Sequence, residues 1–418
     1  MRPSLQTARS ESSPQECSGA GAEARPGLAR VDSIDIFRGL TVLVMVFVNQ
    51  LGGMTGLPWW TEHMPASAEG MTYVDMVFPF FLFIVGVSTP LAIRRRLSQR
   101  DSVWALGLHV ALRSVALIVL GLILANNGQV DAGLTGVSAN LWTVLVLLGA
   151  ILFWNSYPRS KRYGLLFRGM KIAGLVLLLV MLGLFRRATS SGQSAWLDMS
   201  YWEILGLIGW TYLGTCILYI PTRRWPWAQV AWFAGLTALN TLSCAHWITF
   251  GYRAPYYIWP YKSGAGASIV MAGVVTSLLL LTDAFAASRR RRMIAALCFA
   301  ALLFAAGWLT APLGVSRIRA TPTSCLVSCG ASVCAFIALF WICDVLKQVR
   351  WAAFVRPAGS NTLLTYLLPP LCAALVGRQV IFPQWDHGWY GAAQALAFTA
   401  AIMAVAALLT RWRVRVQL

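Results

Sequence analysis

Thr72-Tyr73-Val74-Asp75-Met76-Val77-Phe78-Pro79-Phe80-Phe81-Leu82-Phe83-Ile84-Val85-Gly86-Val87-Ser88-Thr89-Pro90-Leu91-Ala92-Ile93 runs directly into Arg94-Arg95-Arg96. Twenty-two residues with Asp75 as their one charge extend ~33 Å as a helix at 1.5 Å per residue, the thickness of bilayer hydrocarbon. Lipid offers no water to peptide groups, so such a segment must satisfy its backbone internally, as a helix. The three arginines mark where it leaves the apolar phase.

Working outward, the same block recurs. Further spans are read at Ile34–Gly53, Trp104–Ala125, Asn140–Trp154, Leu166–Phe185, Ser200–Ile220, Pro226–Phe250, Ala267–Ala286, Met293–Ala311, Ser324–Val345, Ser360–Val376 and Trp389–Leu409. The expected fold is all-α, a polytopic membrane protein of 11–12 transmembrane helices. A chain that is 58% apolar and 12% charged is far from soluble composition.

The net charge of +19 raises nucleic acid as a partner, but its distribution answers otherwise. The N-terminal tail, the even-numbered loops and their flanking helix ends hold 26 of the 34 basic residues. They include Arg94–Arg96 with Arg100, Arg159, Lys161 and Arg162, then Arg289–Arg292, Lys347, Arg350, Arg411, Arg413 and Arg415. Odd loops hold Arg186, Arg187, Arg253, Lys262, Arg317, Arg319 and Arg378, while Arg113 lies inside a span. That alternation is the positive-inside rule; it puts both termini in the cytoplasm and implies no nucleic acid. Tryptophans at span ends, such as Trp59, Trp60, Trp104, Trp202, Trp225, Trp227 and Trp389, fit interfacial belts.

Residues 1–30 lack an apolar stretch and read as a disordered cytoplasmic tail. Residues 31–418 read as one membrane domain. Eight of the nine cysteines sit in or beside spans and none forms a CxxC pair, so neither a disulfide framework nor a metal is expected. A homodimer stands open beside a monomer.

Polar groups in lipid are costly and point to function. The first hairpin is richest in them: Asp35, Arg38, Asn49, His63, Glu69 and Asp75. Eleven residues of helix put Asn49 ~16 Å from Arg38, hence near the outer surface. Asp75 opens the second helix there and the His63 loop joins the two, so Asn49, His63 and Asp75 can converge at one outer mouth. An imidazole oriented by Asp75 is a natural general base. Plainer readings stand beside this one: Asp75 as a helix cap, Asn49 as interhelical glue, His63 as a loop histidine, Asp35–Arg38 as an ion pair, and Pro79 as a kink. His109 and Arg113 share a face of the third helix, and Arg113 is deep enough to require either a hydrated cavity or an anion, from a helix carboxylate or a ligand phosphate. Glu203 opens the sixth helix on the outer side. Arg317 and Arg319 break the charge rule on that same side, as substrate-binding or as tolerated charges. Asp283 and Asp344, near inner helix ends, read as partners of nearby Arg or Lys.

Ser33-Ile34-Asp35-Ile36-Phe37-Arg38-Gly39, Val48-Asn49, His63 and Asp75-Met76-Val77-Phe78-Pro79-Phe80-Phe81-Leu82-Phe83 together resemble the heparan-α-glucosaminide N-acetyltransferase family, and more closely a bacterial branch of it. Weaker matches run through Trp202–Trp210, Arg317–Thr323 and Pro357–Leu363. The resemblance implies a multi-pass inner-membrane enzyme that moves an acetyl group from cytosolic acetyl-CoA to an amino-sugar or other glycan acceptor at the outer face. It implies that His63 is the active-site histidine, with Asn49 and Asp75 beside it. The acyl-CoA would rest against Arg38, Arg94, Arg95, Arg113 and His109, and Glu69, Glu203, Arg317 and Arg319 would meet the acceptor. Direct transfer and an acetyl-histidine intermediate use the same residues. Where the family often has Trp-Asn-Gly after the histidine, this chain has Ala68-Glu69-Gly70. The alternative is a secondary transporter for a sugar or organic anion, for which Pro79 and Pro369-Pro370 would mark broken helices.

Overall fold

The structure, a computed structural model, describes residues 31–99, 101–158, 162–199, 203–249, 263–285, 288–376 and 387–418. The 1–30 tail, and Arg100, Arg159, Lys161, Trp202, Arg253, Lys262 and Arg378 of the charge and aromatic pattern, lie outside the described residues.

Twelve helices of 15 residues or more follow one another among the described residues: α1 Asp32–Leu51, α2 Tyr73–Ser98, α3 Val103–Asn126, α4 Ala139–Trp154, α5 Gly164–Leu184, α6 Glu203–Thr222, α7 Pro226–Cys244, α8 Ala265–Leu280, α9 Arg289–Leu309, α10 Pro322–Leu339, α11 Thr362–Val376 and α12 Gly388–Arg411. Eight of them (α1, α2, α3, α5, α6, α9, α10, α12) are long and apolar enough to cross a membrane. Helices α4, α8 and α11 are apolar but 15 or 16 residues long. Helix α7 has 19 residues and is the more polar, carrying Gln229, Asn240 and several hydroxyls. The protein is an all-α polytopic membrane protein. Beyond the helices, the described residues include one small hairpin, Arg187–Ala188 with Ser194–Ala195.

Several boundaries differ from the sequence reading: helix α8 ends at Leu280 where the span is read to Ala286, and α2 continues past Ile93 to Ser98. Helix α7 stops at Cys244 instead of reaching residue 250, because His246 adopts φ +59° and turns the chain out of helical geometry. The tenth span is α-helical to Leu339 and widens into a π-helix over Phe340–Val345. The eleventh is divided: a five-residue helix, Arg356–Ser360, precedes α11, separated from it by Asn361. Helix α2 runs unbroken through Pro79 and Pro90.

The π-helix gives Asp344 a task other than pairing with a nearby Arg or Lys. Its two oxygens accept the Asp32 and Ser33 amides at 2.9 and 3.1 Å, capping α1, whose first N–H groups would otherwise lack partners. Asp283 does pair as expected, with Arg292 at 3.2 Å.

Helix α8 is the hub, buried at every residue but Leu279. It packs on α2 and α7, while α3 packs on α6, α4 on α5 and α9 on α10. In lipid, no hydrophobic force drives helices together, so close backbone approach at small residues does that work. Gly86 of α2 meets Gly273 of α8, Gly149 of α4 meets Gly174 of α5, and Gly209 of α6 lies on the Ser114 carbonyl of α3. Helix α1 is locked similarly by the short 356–360 helix: a Cβ on Gly359 would lie 1.8 Å from the Asp35 carbonyl oxygen. These contacts fix the height of the α1–α2 hairpin, which carries the candidate site.

Candidate functional site

On the face away from the arginine clusters, the loop between α1 and α2 folds back over the start of α2. His63 Nδ1 lies 2.8 Å from Asp75 Oδ1. Asp75 is fully buried and His63 half-exposed. The carboxylate also accepts the Thr72 and Met64 amides on Oδ2, at 3.1 and 3.3 Å, and the Arg317 guanidinium Nε on Oδ1 at 3.2 Å. These other partners, two amides and a guanidinium, are all donors, so the Asp75 carboxylate acts as acceptor throughout. An ionised carboxylate has no proton to give, so the imidazole donates from Nδ1 and keeps the Nε2 lone pair free. That is the tautomer a general base needs. Asp75 is at once a capping residue, reciprocal with Thr72, and the partner of His63.

The loop is clipped from above. Glu69 takes the Val315 amide and the Arg319 guanidinium, and Gly70 N–H donates to the Val315 carbonyl at 2.9 Å. Those two donors hold the exposed Glu69 carboxyl below the usual carboxylate range. A depressed folded-state pKa contributes stability that is present above the unfolded value and is lost as pH falls through the folded one. The stability difference between the wild type and Glu69→Gln is therefore expected to hold from about pH 8 to about pH 5 and to close below the ordinary carboxylate range, as read from thermal unfolding.

Asn49 is not joined to this pair. It shares a face of α1 with Arg38, Met45 and Val46 and lines a cavity of about 190 Å³ with Asn127, Glu203, Tyr366, Pro369 and Pro370. There the Tyr366 hydroxyl donates to Glu203, which also accepts the Leu205 amide at 3.1 Å. Glu203 stands at φ +53°, an uncommon conformation for a non-glycine residue, which the cap at the head of α6 imposes. A second cavity, about 270 Å³ and almost wholly apolar, runs from Phe37 and Thr41 of α1, past Phe80 and Met76, to Tyr73. One end, Phe37, is next to Arg38 in sequence, and the other, Tyr73, is two residues from Asp75.

Toward the opposite face the interior is cationic. Arg38 donates to Ser88 Oγ at 2.5 Å and lies 3.9 Å from Asp35. Arg113, ten residues into α3 and so ~15 Å along its axis, is within electrostatic reach of Arg38 and sits 5.1 Å above the Tyr212 ring. Among the described residues no carboxylate pairs with Arg113, and its buried Nε has no hydrogen-bond partner. Arg96 pairs with Asp101 and contacts His109 Nδ1, each at 3.3 Å. Arg38 has one carboxylate beside it and Arg113 none among the described residues, so this interior suits a negative ligand.

Residues 30–263 match a family described as a domain of unknown function, DUF5009. The chain belongs to the DUF5009 family. It is also similar to human heparan-alpha-glucosaminide N-acetyltransferase, at 37% identity over 124 residues, 30% of this chain and 18% of that protein. The mouse protein of the same name is 34% identical over 145 residues, 32% of this chain and 21% of that protein. The chain spans about a fifth of the length of the curated relatives it matches.

Within this DUF5009 chain the structure thus unites His63 with Asp75 and Arg317, Glu69 with Arg319, and Arg38 with Arg113. It leaves Asn49 and Glu203 together in their own cavity and Arg94 and Arg95 exposed at the end of α2. Sequence reasoning passed over Tyr366, Asn127, Ser88 and Tyr212. Tyr366 and Asn127 carried a signal, a polar group just before Pro369-Pro370 and a helix-end amide beside Gly128. Ser88 and Tyr212 carried none, since hydroxyls are common in apolar helices. Among the described residues no cluster of His, Cys, Asp and Glu could hold a metal ion.

Proposed function

We propose that the protein is a transmembrane acyltransferase that moves an acetyl group from cytosolic acetyl-CoA to an amino-sugar or other glycan acceptor on the outer side of the cell's inner membrane. The observation that carries this reading is the His63–Asp75 pair at one end of the bundle with the Arg38 and Arg113 guanidinium groups inside the other. The names of the two relatives agree with it.

The chemistry follows from the residues. Polyanionic CoA enters from the arginine-rich face, its phosphates drawn to Arg38 and Arg113 and to Arg94–Arg96 and His109 at the rim. The acyl-bearing arm extends along the apolar cavity between α1, α2 and α10. His63 Nε2 takes the proton of the acceptor amine or hydroxyl as that atom attacks the thioester carbonyl. The imidazolium, stabilised by Asp75, then returns the proton to the departing thiolate. Glu69, in the loop that carries His63, supplies a hydrogen bond to the acceptor.

Two measurements test this. Protein in micelles should transfer label from acetyl-CoA or release free CoA; substrate flux in proteoliposomes without acyl-CoA, and no transfer, would instead establish a transporter. Acetyl-CoA should also raise the unfolding temperature. Charge-assisted bonds to phosphate contribute about 1.5–3 kcal/mol each, so Arg113→Gln should weaken acetyl-CoA binding by roughly 10- to 100-fold, with desulfo-CoA affected equally. Unchanged affinity would remove Arg113 from the site.

A further inference from the structure

Arg317 stands in the loop before α10, 242 residues from the carboxylate it contacts. The sequence offers it as a charge for the acceptor. Its Nε instead lies 3.2 Å from Asp75 Oδ1, the same oxygen that accepts the His63 imidazole N–H at 2.8 Å. Asp75 Oδ2 is already taken by the Thr72 and Met64 amides. One oxygen is thereby fixed by the backbone and the other is shared between an arginine and a histidine. We propose that Arg317 is a positioning residue for His63: it sets how much of the Asp75 charge the imidazole feels, and it pins the carboxylate so that Oδ1 faces Nδ1.

The physical argument has two parts. Two amide donors on Oδ2 fix one end of the carboxylate, and the Arg317 Nε–H fixes the rotation about it by occupying the outer side of Oδ1. Without Arg317, Oδ1 has His63 alone, and the carboxylate is free to follow the half-exposed imidazole. The cation also opposes a second positive charge on the imidazole beside it, while Asp75 favours one. Removing Arg317 removes the opposition and leaves the attraction, so the imidazole should hold its proton to higher pH. The other charged groups around the pair, Glu69 with Arg319 from the clip, are paired with each other and leave little net field, and Glu62 contributes its backbone carbonyl, to Thr72 Oγ.

Arg317 reaches the site because its own loop is built for it. Ser316 is buried and its amide donates to Thr321 Oγ1, whose oxygen also caps α10 through the Ser324 amide. The chain turns at Ala320, φ +50°, immediately before α10. Arg319 then ties Glu69 and Arg317 ties Asp75, so one loop secures the stretch that follows His63 at two points.

The inference rests on His63 as the base of the proposed transfer, but its first test does not. Diethyl pyrocarbonate modifies neutral imidazole, and its reaction at His63 can be followed by peptide mass spectrometry across the pH range in the folded protein. In Arg317→Gln the pH profile should move up by about 0.5–1 unit relative to the wild type, a shift of the size expected from one partly screened charge at this range. Arg317→Lys, which keeps the charge, should stay within about 0.3 unit of the wild type. A loop that merely opens would raise reactivity at every pH without moving the profile. An unmoved profile in Arg317→Gln overturns the proposal. The second test is turnover with acetyl-CoA: Arg317→Gln should lower kcat, with its pH optimum displaced in the same direction and KM for acetyl-CoA unchanged. A displaced modification profile in a protein that never consumes acetyl-CoA would leave Arg317 in its role and remove the acyltransferase reading.

Discussion

His63→Ala is expected to abolish acyl transfer from acetyl-CoA while leaving folded protein in the membrane. General-base catalysis by a positioned side chain contributes roughly 10²–10⁴ in rate, and no other histidine is seen in contact with Asp75. The fold should survive because Asp75 keeps the Thr72 and Met64 amides and Arg317, so the buried carboxylate is not stranded. The half-exposed imidazole gives up one hydrogen bond, about 1 kcal/mol. Asp75→Asn is the companion variant. An asparagine can donate an N–H to Nδ1 and so stabilise the tautomer whose Nε2 carries the proton, which is unable to act as base. In a serine-protease triad that change costs about 10⁴ in kcat, and a comparable loss is expected here. Normal turnover in His63→Ala, measured by release of free CoA, would remove the histidine from the mechanism.

Why His63 and Asp75 could be found from sequence, and Arg317 and Glu203 could not be placed, has a physical basis. His63 and Asp75 belong to one hairpin and are 12 residues apart, so a loop has little room to separate them. Arg317 reaches Asp75 across the seven helices α3 to α9, and nothing local distinguishes an arginine bound to a carboxylate from one awaiting a substrate. Asn49 shows the converse error. Its height on α1 follows from the helical rise, but its direction follows from the register of α1 against α3, α6 and α11, which no single segment encodes. Tyr366 and Glu203 meet for the same reason, across 163 residues. The fold was more legible because lipid enforces it: each long apolar run must be helical, and each arginine cluster must end one. Legibility failed where backbone conformation overrode composition, at His246 beyond α7, in the π-helix that carries Asp344, and at the break between Ser360 and Thr362.

The contact that makes the site rigid predicts the largest effect on stability. Helices α2 and α8 cross at Gly86 and Gly273, where a Cβ on Gly86 would lie 1.9 Å from the Val270 carbonyl oxygen, and one on Gly273 2.1 Å from the Phe83 oxygen. Neither obstacle is a side-chain tip that could swing aside; both are backbone in the most buried pair of helices. Gly86→Ala must push the helices apart along their crossing, and overpacking of this kind costs about 1–3 kcal/mol, more where backbone has to move. It also withdraws the van der Waals contact that holds helices together where no hydrophobic force does. The expected result is a large fall in unfolding temperature in detergent, and no folded protein for Gly86→Leu. Gly183→Ala and Gly235→Ala are the controls: both positions are helical with nothing within 4 Å of the added carbon, and each should gain about 0.5–1 kcal/mol from helix propensity. Because α2 carries Asp75 three residues inside its first turn, a Gly86→Ala protein that still folds should also show weakened coupling between His63 and Asp75, read as His63 modification at every pH. If Gly86→Ala unfolds no earlier than the Gly183 and Gly235 controls, α2 and α8 do not cross at these glycines, and the height assigned to Asp75 loses its support.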